Sequence, residues 1–322
     1  MDAERLAKVE GVAAALSCSL LSIAVIASNQ QLQTLDWPCF FITGTAALLG
    51  ALGNITYQRW HGLARPPDVR WVMLRGLCGS GNGFLGICAV LAGAYMGSIA
   101  AFRSVNSIVA SLGTVAMGEE FGWMHLVSVA LFVMGAILTA DPEEVVATMG
   151  STLLGNGLAL GSGISSGFSA LIGRKVKEVH PSFLTTANLL QTWLFCWMLH
   201  FIIRVPSGSF QSMEGARPQS VLLLLGLPVI LHFNTMSGAV ASQKCSAAVV
   251  TTVKTASSML AGFCLDYLLQ GHAKLVTILG ALLIFLAVLA MLQTQLGNSA
   301  NSAPKDIKEK LKLLPSNGIA NI

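Results

Sequence analysis

The stretch SIVASLGTVAMGEEFGWMHLVSVALFVMGAIL at 107–138 runs from small residues through an acidic turn into an unbroken apolar segment. The same order of parts returns as SMLAGFCLDYLLQGHAKLVTILGALLIFLAVL at 258–289. Between the two copies the chain divides at the acidic linker Asp141-Pro142-Glu143-Glu144. Each half holds five long apolar segments. An odd number of crossings per copy makes the second enter the membrane from the opposite side. That predicts two inverted repeats, with a binding site near mid-membrane where they meet.

Composition supports a lipid environment. Of 322 residues, 54% are hydrophobic and 11% charged, and the mean hydropathy is +0.69, whereas a soluble domain carries roughly a quarter charged residues. A spanning helix needs about 20 apolar residues, because every backbone N–H and C=O must be paired within it. Such segments are read at about 10–28, 37–57, 71–93, 97–117, 122–140, 150–172, 181–203, 219–240, 245–268 and 275–295. The expected fold is therefore all-α and polytopic, with ten transmembrane helices in a 5+5 arrangement. Its parts are an N-terminal tail (1–9), a first repeat (10–140), a linker (141–149), a second repeat (150–295) and a C-terminal tail (296–322). No small-residue cleavage site follows the first apolar run, so the first span is expected to act as an uncleaved anchor.

Counting bases gives the orientation. With a cytoplasmic N-terminus, Arg5, Lys8, Arg59, Arg65, Arg70, Arg174, Lys175, Lys177, Lys244, Lys305, Lys308, Lys310 and Lys312 lie on the cytoplasmic side, thirteen of the 19 Lys and Arg. Arg204, Arg217 and Lys274 lie opposite, and Arg75, Arg103 and Lys254 fall inside spans. That bias follows the positive-inside rule and places both termini in the cytoplasm. Trp37, Trp60, Trp71 and Trp123 fall at segment ends, where interfacial aromatic belts sit. Which membrane hosts the chain is left open.

Four motifs carry a family resemblance: LRGLCGS at 74–80, MGEEFGWMHLVSVALFVMGAIL at 117–138, ALGSGISSGFSALIGRKV at 159–176 and VVTTVKTASSMLAGF at 249–263. With these, residues 10–295 resemble the drug/metabolite transporter superfamily, in its EamA-type branch with the G-like members of solute carrier family 35. The resemblance implies ten helices, alternating access, and substrates such as nucleotide sugars, sugar phosphates or amino acids. It also implies a lysine at the "KT" position, which Lys254 fills. EamA-type repeats commonly carry a proline in the fourth helix. Here that stretch reads Asn106-Ser107-Ile108, which predicts a less broken helix.

The candidate site residues follow from the cost of charge in hydrocarbon. Lys254 lies roughly 14 Å into the ninth segment at 1.5 Å per residue. There a cation costs about 2.5–3.5 kcal/mol and needs a cavity or a partner. A structural ion pair is the competing reading. Arg103 occupies the counterpart segment, deep enough to share an anion with Lys254, or able to snorkel outward. Asn106, one turn from Arg103, is the third candidate substrate contact. Arg75 lies near the start of its segment and is expected to snorkel beside Arg70. Glu119, Glu120 and Asp266 stand at helix ends, where acids are usually solvated. A gating or coupling role is the sharper alternative. Asn82, His232 and Asn234 read mainly as interhelical hydrogen-bonding groups, and the glycine ladders Gly76, Gly79, Gly83 and Gly157, Gly161, Gly163, Gly167 as close helix contacts.

Absences narrow the function. No GxxxxGKS/T phosphate loop provides ATP drive, and no HExxH or paired intramembrane carboxylates provide catalysis, so no enzyme and no cofactor are expected. Seven cysteines without CxxC spacing read as packing residues. The sequon Asn54-Ile55-Thr56 lies within a span, away from modifying enzymes. The net charge of +4 sits in loops and forms no nucleic-acid surface. The expected partners are a small-molecule solute and the lipid bilayer, with a homodimer allowed. The reading is a secondary-active or exchange carrier of a small organic anion. The alternative is a non-transporting membrane regulator or scaffold that retains a carrier fold.

Overall fold

The computed structural model describes residues 3–92, 99, 102–116, 123–139, 151–204, 208–213, 218–270, 276, 279–280, 282–287 and 289–290. Every regular element among them is helical: α1 (Ala3–Thr34), α2 (Cys39–Trp60), α3 (Val69–Leu91), α4 (Val105–Ala116), α5 (Trp123–Thr139), α6 (Ser151–Lys175), α7 (Pro181–Trp197), α8 (Pro218–Lys244) and α9 (Ala247–Gln270). A π-helical stretch, Met198–Ile203, prolongs α7 and ends at Arg204 in a left-handed conformation. The described positions from 276 to 290 are helical as well. Gating candidates Glu119 and Glu120, the linker and the C-terminal tail lie outside the described residues, as does the side chain of Asp266.

Proline sets several of the boundaries because it has no N–H to give a preceding turn. Pro38 caps α2, and Pro181 opens α7, where His180 Nδ1 accepts the Ser182 N–H at 3.3 Å. Two elements differ from expectation. Helix α1 begins at Ala3, so described residues assigned to the tail are already helical. The fourth segment is broken despite its missing proline. Phe102 and Arg103 are helical, Ser104 is a turn whose carbonyl accepts the Ser107 N–H at 3.0 Å, and α4 starts at Val105. The break rests on the opposing helix. A Cβ on Gly163 of α6 would lie 2.6 Å from the Arg103 carbonyl oxygen and 2.9 Å from its Cα. A glycine across the interface thus makes room for the turn.

Among the described residues, four helical stretches are long and apolar enough to cross a membrane: Leu6–Thr34, Cys39–Trp60, Val69–Leu91 and Val221–Lys244. Large apolar side chains such as Leu49, Leu126, Ile202, Leu222 and Leu225 face outward, while Asn29, Thr43, Asn54, Ser80, Ser162 and Thr251 are buried. This inside-out distribution is compatible with an integral membrane protein. These six polar side chains are hydrogen-bonded. Asn29 Oδ1 accepts from Thr43 Oγ1 at 2.7 Å and Cys39 Sγ at 2.9 Å, and Asn54 Nδ2 meets His232 Nδ1 at 3.1 Å. His232 thus joins α8 to α2.

Helix α1 lies along α8 and α9, and α6 lies along α3 and α4. Helix α3 also packs on α7, and α8 on α2, while α2 pairs with α7 and α4 with α9. Phe132 of α5 clusters with Met259, Ile284 and Ala287. One end of the bundle gathers the turns after α2, α6 and α8. There Lys244 pairs with Glu10, Lys175 lies 3.8 Å from the centroid of the Trp71 ring, and Cys245 Sγ donates to the Lys8 carbonyl at 3.5 Å.

Two glycines of α6 separate packing from propensity. Gly163→Ala forces a Cβ into the Arg103 backbone and is expected to destabilise by about 1–3 kcal/mol. Gly157 meets nothing within 4 Å, so Gly157→Ala is expected to be neutral or to stabilise by about 0.5–1 kcal/mol. Thermal unfolding of the purified variants in detergent checks both.

Candidate functional site

Arg75, Arg103 and Lys254 line one cavity of about 90 Å³ in the interior of the bundle. The wall mixes polar groups, among them Ser22 of α1, Thr43 of α2, Asn82 of α3, Ser166 of α6, Asn188 of α7 and Asn234 of α8, with apolar side chains such as Ile26, Ile87, Leu189 and Leu231. A smaller cavity of about 40 Å³ adjoins it and shares Arg103, Lys254, Ser22 and Ser166. Arg103 and Lys254 therefore stand between the two spaces.

The anchoring of Arg103 is explicit. Its Nη2 donates to Asn82 Oδ1 at 2.6 Å, and the same oxygen accepts from Ser162 Oγ at 3.0 Å. A Cβ on Gly86, one turn further along α3, would be 3.9 Å from Arg103 Nη1. The second half of the chain repeats these parts. Asn234 and Gly238 in α8 have the spacing of Asn82 and Gly86. A Cβ on Gly238 would be 3.9 Å from Lys254 Nζ, and Asn234 Oδ1 accepts from Cys18 Sγ at 3.3 Å. Each half thus supplies an asparagine, a glycine one turn on, and a cation from the next helix lying over that glycine. Asn82 and Asn234 make the interhelical hydrogen bonds expected of them, but they were not paired from sequence alone. The signal that would have paired them is the Asn-x-x-x-Gly spacing common to α3 and α8.

Of the sequence candidates, Arg103 and Lys254 come together on one cavity. Asn106 is absent from the larger space but lines the smaller one together with both cations. Its side chain is buried on the smaller space, where Oδ1 accepts from Thr255 Oγ1 at 2.9 Å and Ser107 Oγ at 3.2 Å. That bond joins α4 to α9. Arg75 departs most from expectation. Instead of snorkelling it is 3% exposed, and its Nε and Nη1 are buried without a hydrogen-bond partner. The helix register explains this: Arg75 precedes Asn82 by two turns, which puts both on one face of α3. Among the described residues no carboxylate lies in ion-pair range of Arg75, Arg103 or Lys254, and no group of His, Cys, Asp and Glu is placed to hold a metal ion. All seven cysteines are free thiols.

No family model matches the chain, and no curated protein matches it either. Among solved structures, one crystal structure of a protein is similar over 88% of this chain and 96% of its own, with a TM-score of 0.66 and 15% sequence identity. That likeness is one of fold alone.

The Asn82–Arg103 bond gives a stability test. Asn82→Leu leaves the guanidinium without its acceptor and is expected to cost about 1–3 kcal/mol. Arg103→Met in the same background should recover part of that loss. A double-mutant cycle on thermal unfolding measures the coupling, expected at about 0.5 kcal/mol or more.

Proposed function

We propose that the chain is a ten-helix membrane carrier of the EamA-type branch of the drug/metabolite transporter superfamily, moving a small organic anion by alternating access. The observation that carries this reading is three cations around one interior cavity with no carboxylate in range among the described residues. Such charges are tolerable in a bilayer only where water or a solute receives them. A fixed scaffold has no use for that arrangement. Secondary-active transport and exchange both fit it, because either needs a central site reachable from each side.

The packing supports the two inverted five-helix repeats. Exchanging α1 with α6, α2 with α7, α3 with α8 and α4 with α9 turns the α1–α8 contact into α6–α3. The same exchange turns α1–α9 into α6–α4 and α3–α7 into α8–α2. The pairs α2–α7 and α4–α9 map onto themselves, as pairs astride a two-fold axis do. On this reading the end carrying Lys8, Lys175 and Lys244 is cytoplasmic. A cavity of about 90 Å³ is below the roughly 300–1,000 Å³ of drug-sized sites. It favours sugar phosphates and other small acids over nucleotide sugars.

Uptake into proteoliposomes tests the proposal. Lys254→Ala is expected to abolish uptake while leaving expression and thermal stability unchanged or raised, since it removes an uncompensated interior charge. Arg103→Ala is expected to weaken affinity for anionic solutes more than for neutral ones. Undiminished uptake by Lys254→Ala would sink the anion-site reading. Tags at the two termini should respond together to selective permeabilisation.

A further inference from the structure

The paired half-sites account for Arg103 and Lys254 and leave Arg75 over. Arg75 has no counterpart cation in α8. It lies on the face of α3 that carries Asn82, about 10 Å further along the axis at 1.5 Å per residue. Its guanidinium is wedged against α6 at Gly173, where a Cβ would lie 3.4 Å from Nε. The nearby Ser242 Oγ, which lies against the same glycine, donates to the Ala239 carbonyl at 2.9 Å and makes no bond to Arg75. Two of its nitrogens are buried without a partner, the side chain lines the cavity, and among the described residues no acid is in range. A planar guanidinium in that state matches a carboxylate or phosphate, which accepts two parallel N–H groups at once.

We propose that Arg75 anchors a second acidic group of the solute, so that the cavity takes a small dianion with an acid at each end. One acid meets Arg103 and Lys254; the other meets Arg75. This deepens the carrier reading and rests on it. The dianion bridges α3 to α9, and a monoanion of the same length engages only one end.

The test uses the full-length protein in detergent and equilibrium binding of acids matched in length. The pairs are butyrate with succinate, pentanoate with glutarate, and hexanoate with adipate. The native protein is expected to prefer the dianion by about tenfold or more for at least one length, the worth of one charge-assisted bond. Arg75→Gln should bring that ratio close to unity while leaving monoanion affinity within about twofold. Arg103→Gln should weaken both members of the pair. A native preference retained in Arg75→Gln overturns the proposal, as does an equal loss of both members. Where the native protein binds monoanion and dianion alike, the second anchor fails and the carrier reading stands. Where it binds none of the six, the anion-site reading fails with it. If Arg75→Gln does not fold, Arg75→Lys decides. A reduced dianion preference at unchanged monoanion affinity supports the anchor, and an unchanged preference overturns it.

Discussion

Positive charge without a matching carboxylate is the constraint around which this interior is arranged. Arg75, Arg103 and Lys254 face the same small space, and only Arg103 has a hydrogen-bond partner among the described residues. In a low-dielectric bundle three like charges repel one another and forgo their hydration. The surrounding helices answer with dipoles rather than acids. Serines, threonines and asparagines from several helices line the space, and glycines at Gly86 and Gly238 keep the space beside two of the cations free of side chain. A carboxylate would cancel the field and close the site. Hydroxyls and amides soften the field while leaving the cavity open, as the proposed anion site requires.

The helices were legible because apolar length is a one-dimensional property. Described helices stand where hydropathy put them, from α2 to α9, since backbone hydrogen bonding in lipid leaves little choice. Arg103 and Lys254 were legible for the same reason: a charge deep in an apolar run has to face inward. Arg75 was misread because depth was used where direction decides. A residue near a helix end snorkels only if it faces lipid, and successive residues differ by about 100° around the axis. Facing depends on which neighbours pack where, and α6 and α7 flank α3. The break at Ser104 was hidden for a related reason. It is permitted by Gly163, which is distant in sequence, whereas a proline would have announced it locally. Asn106 was judged by its distance from Arg103; its Oδ1 accepts from Thr255, a partner that only the packing of α4 on α9 reveals.

The two half-sites have the same parts but different chemistry, and that difference bears on how a carrier would use them. Arg103 has a fork of donors, so it bonds Asn82 with one nitrogen while another still faces the space beside Gly86. It can hold protein and solute at once. Lys254 is a compact point charge on a flexible stem, and it makes no bond to Asn234, whose oxygen accepts from Cys18. In the proposed carrier, losing a solute costs Lys254 more than Arg103, which keeps its asparagine. On the proposed reading, the half with the lysine senses occupancy and the half with the arginine supplies a standing attraction. An exchange of the two residues would preserve total charge and reverse those roles, so charge alone does not define the site. What defines it is which cation keeps a protein partner when the cavity is empty.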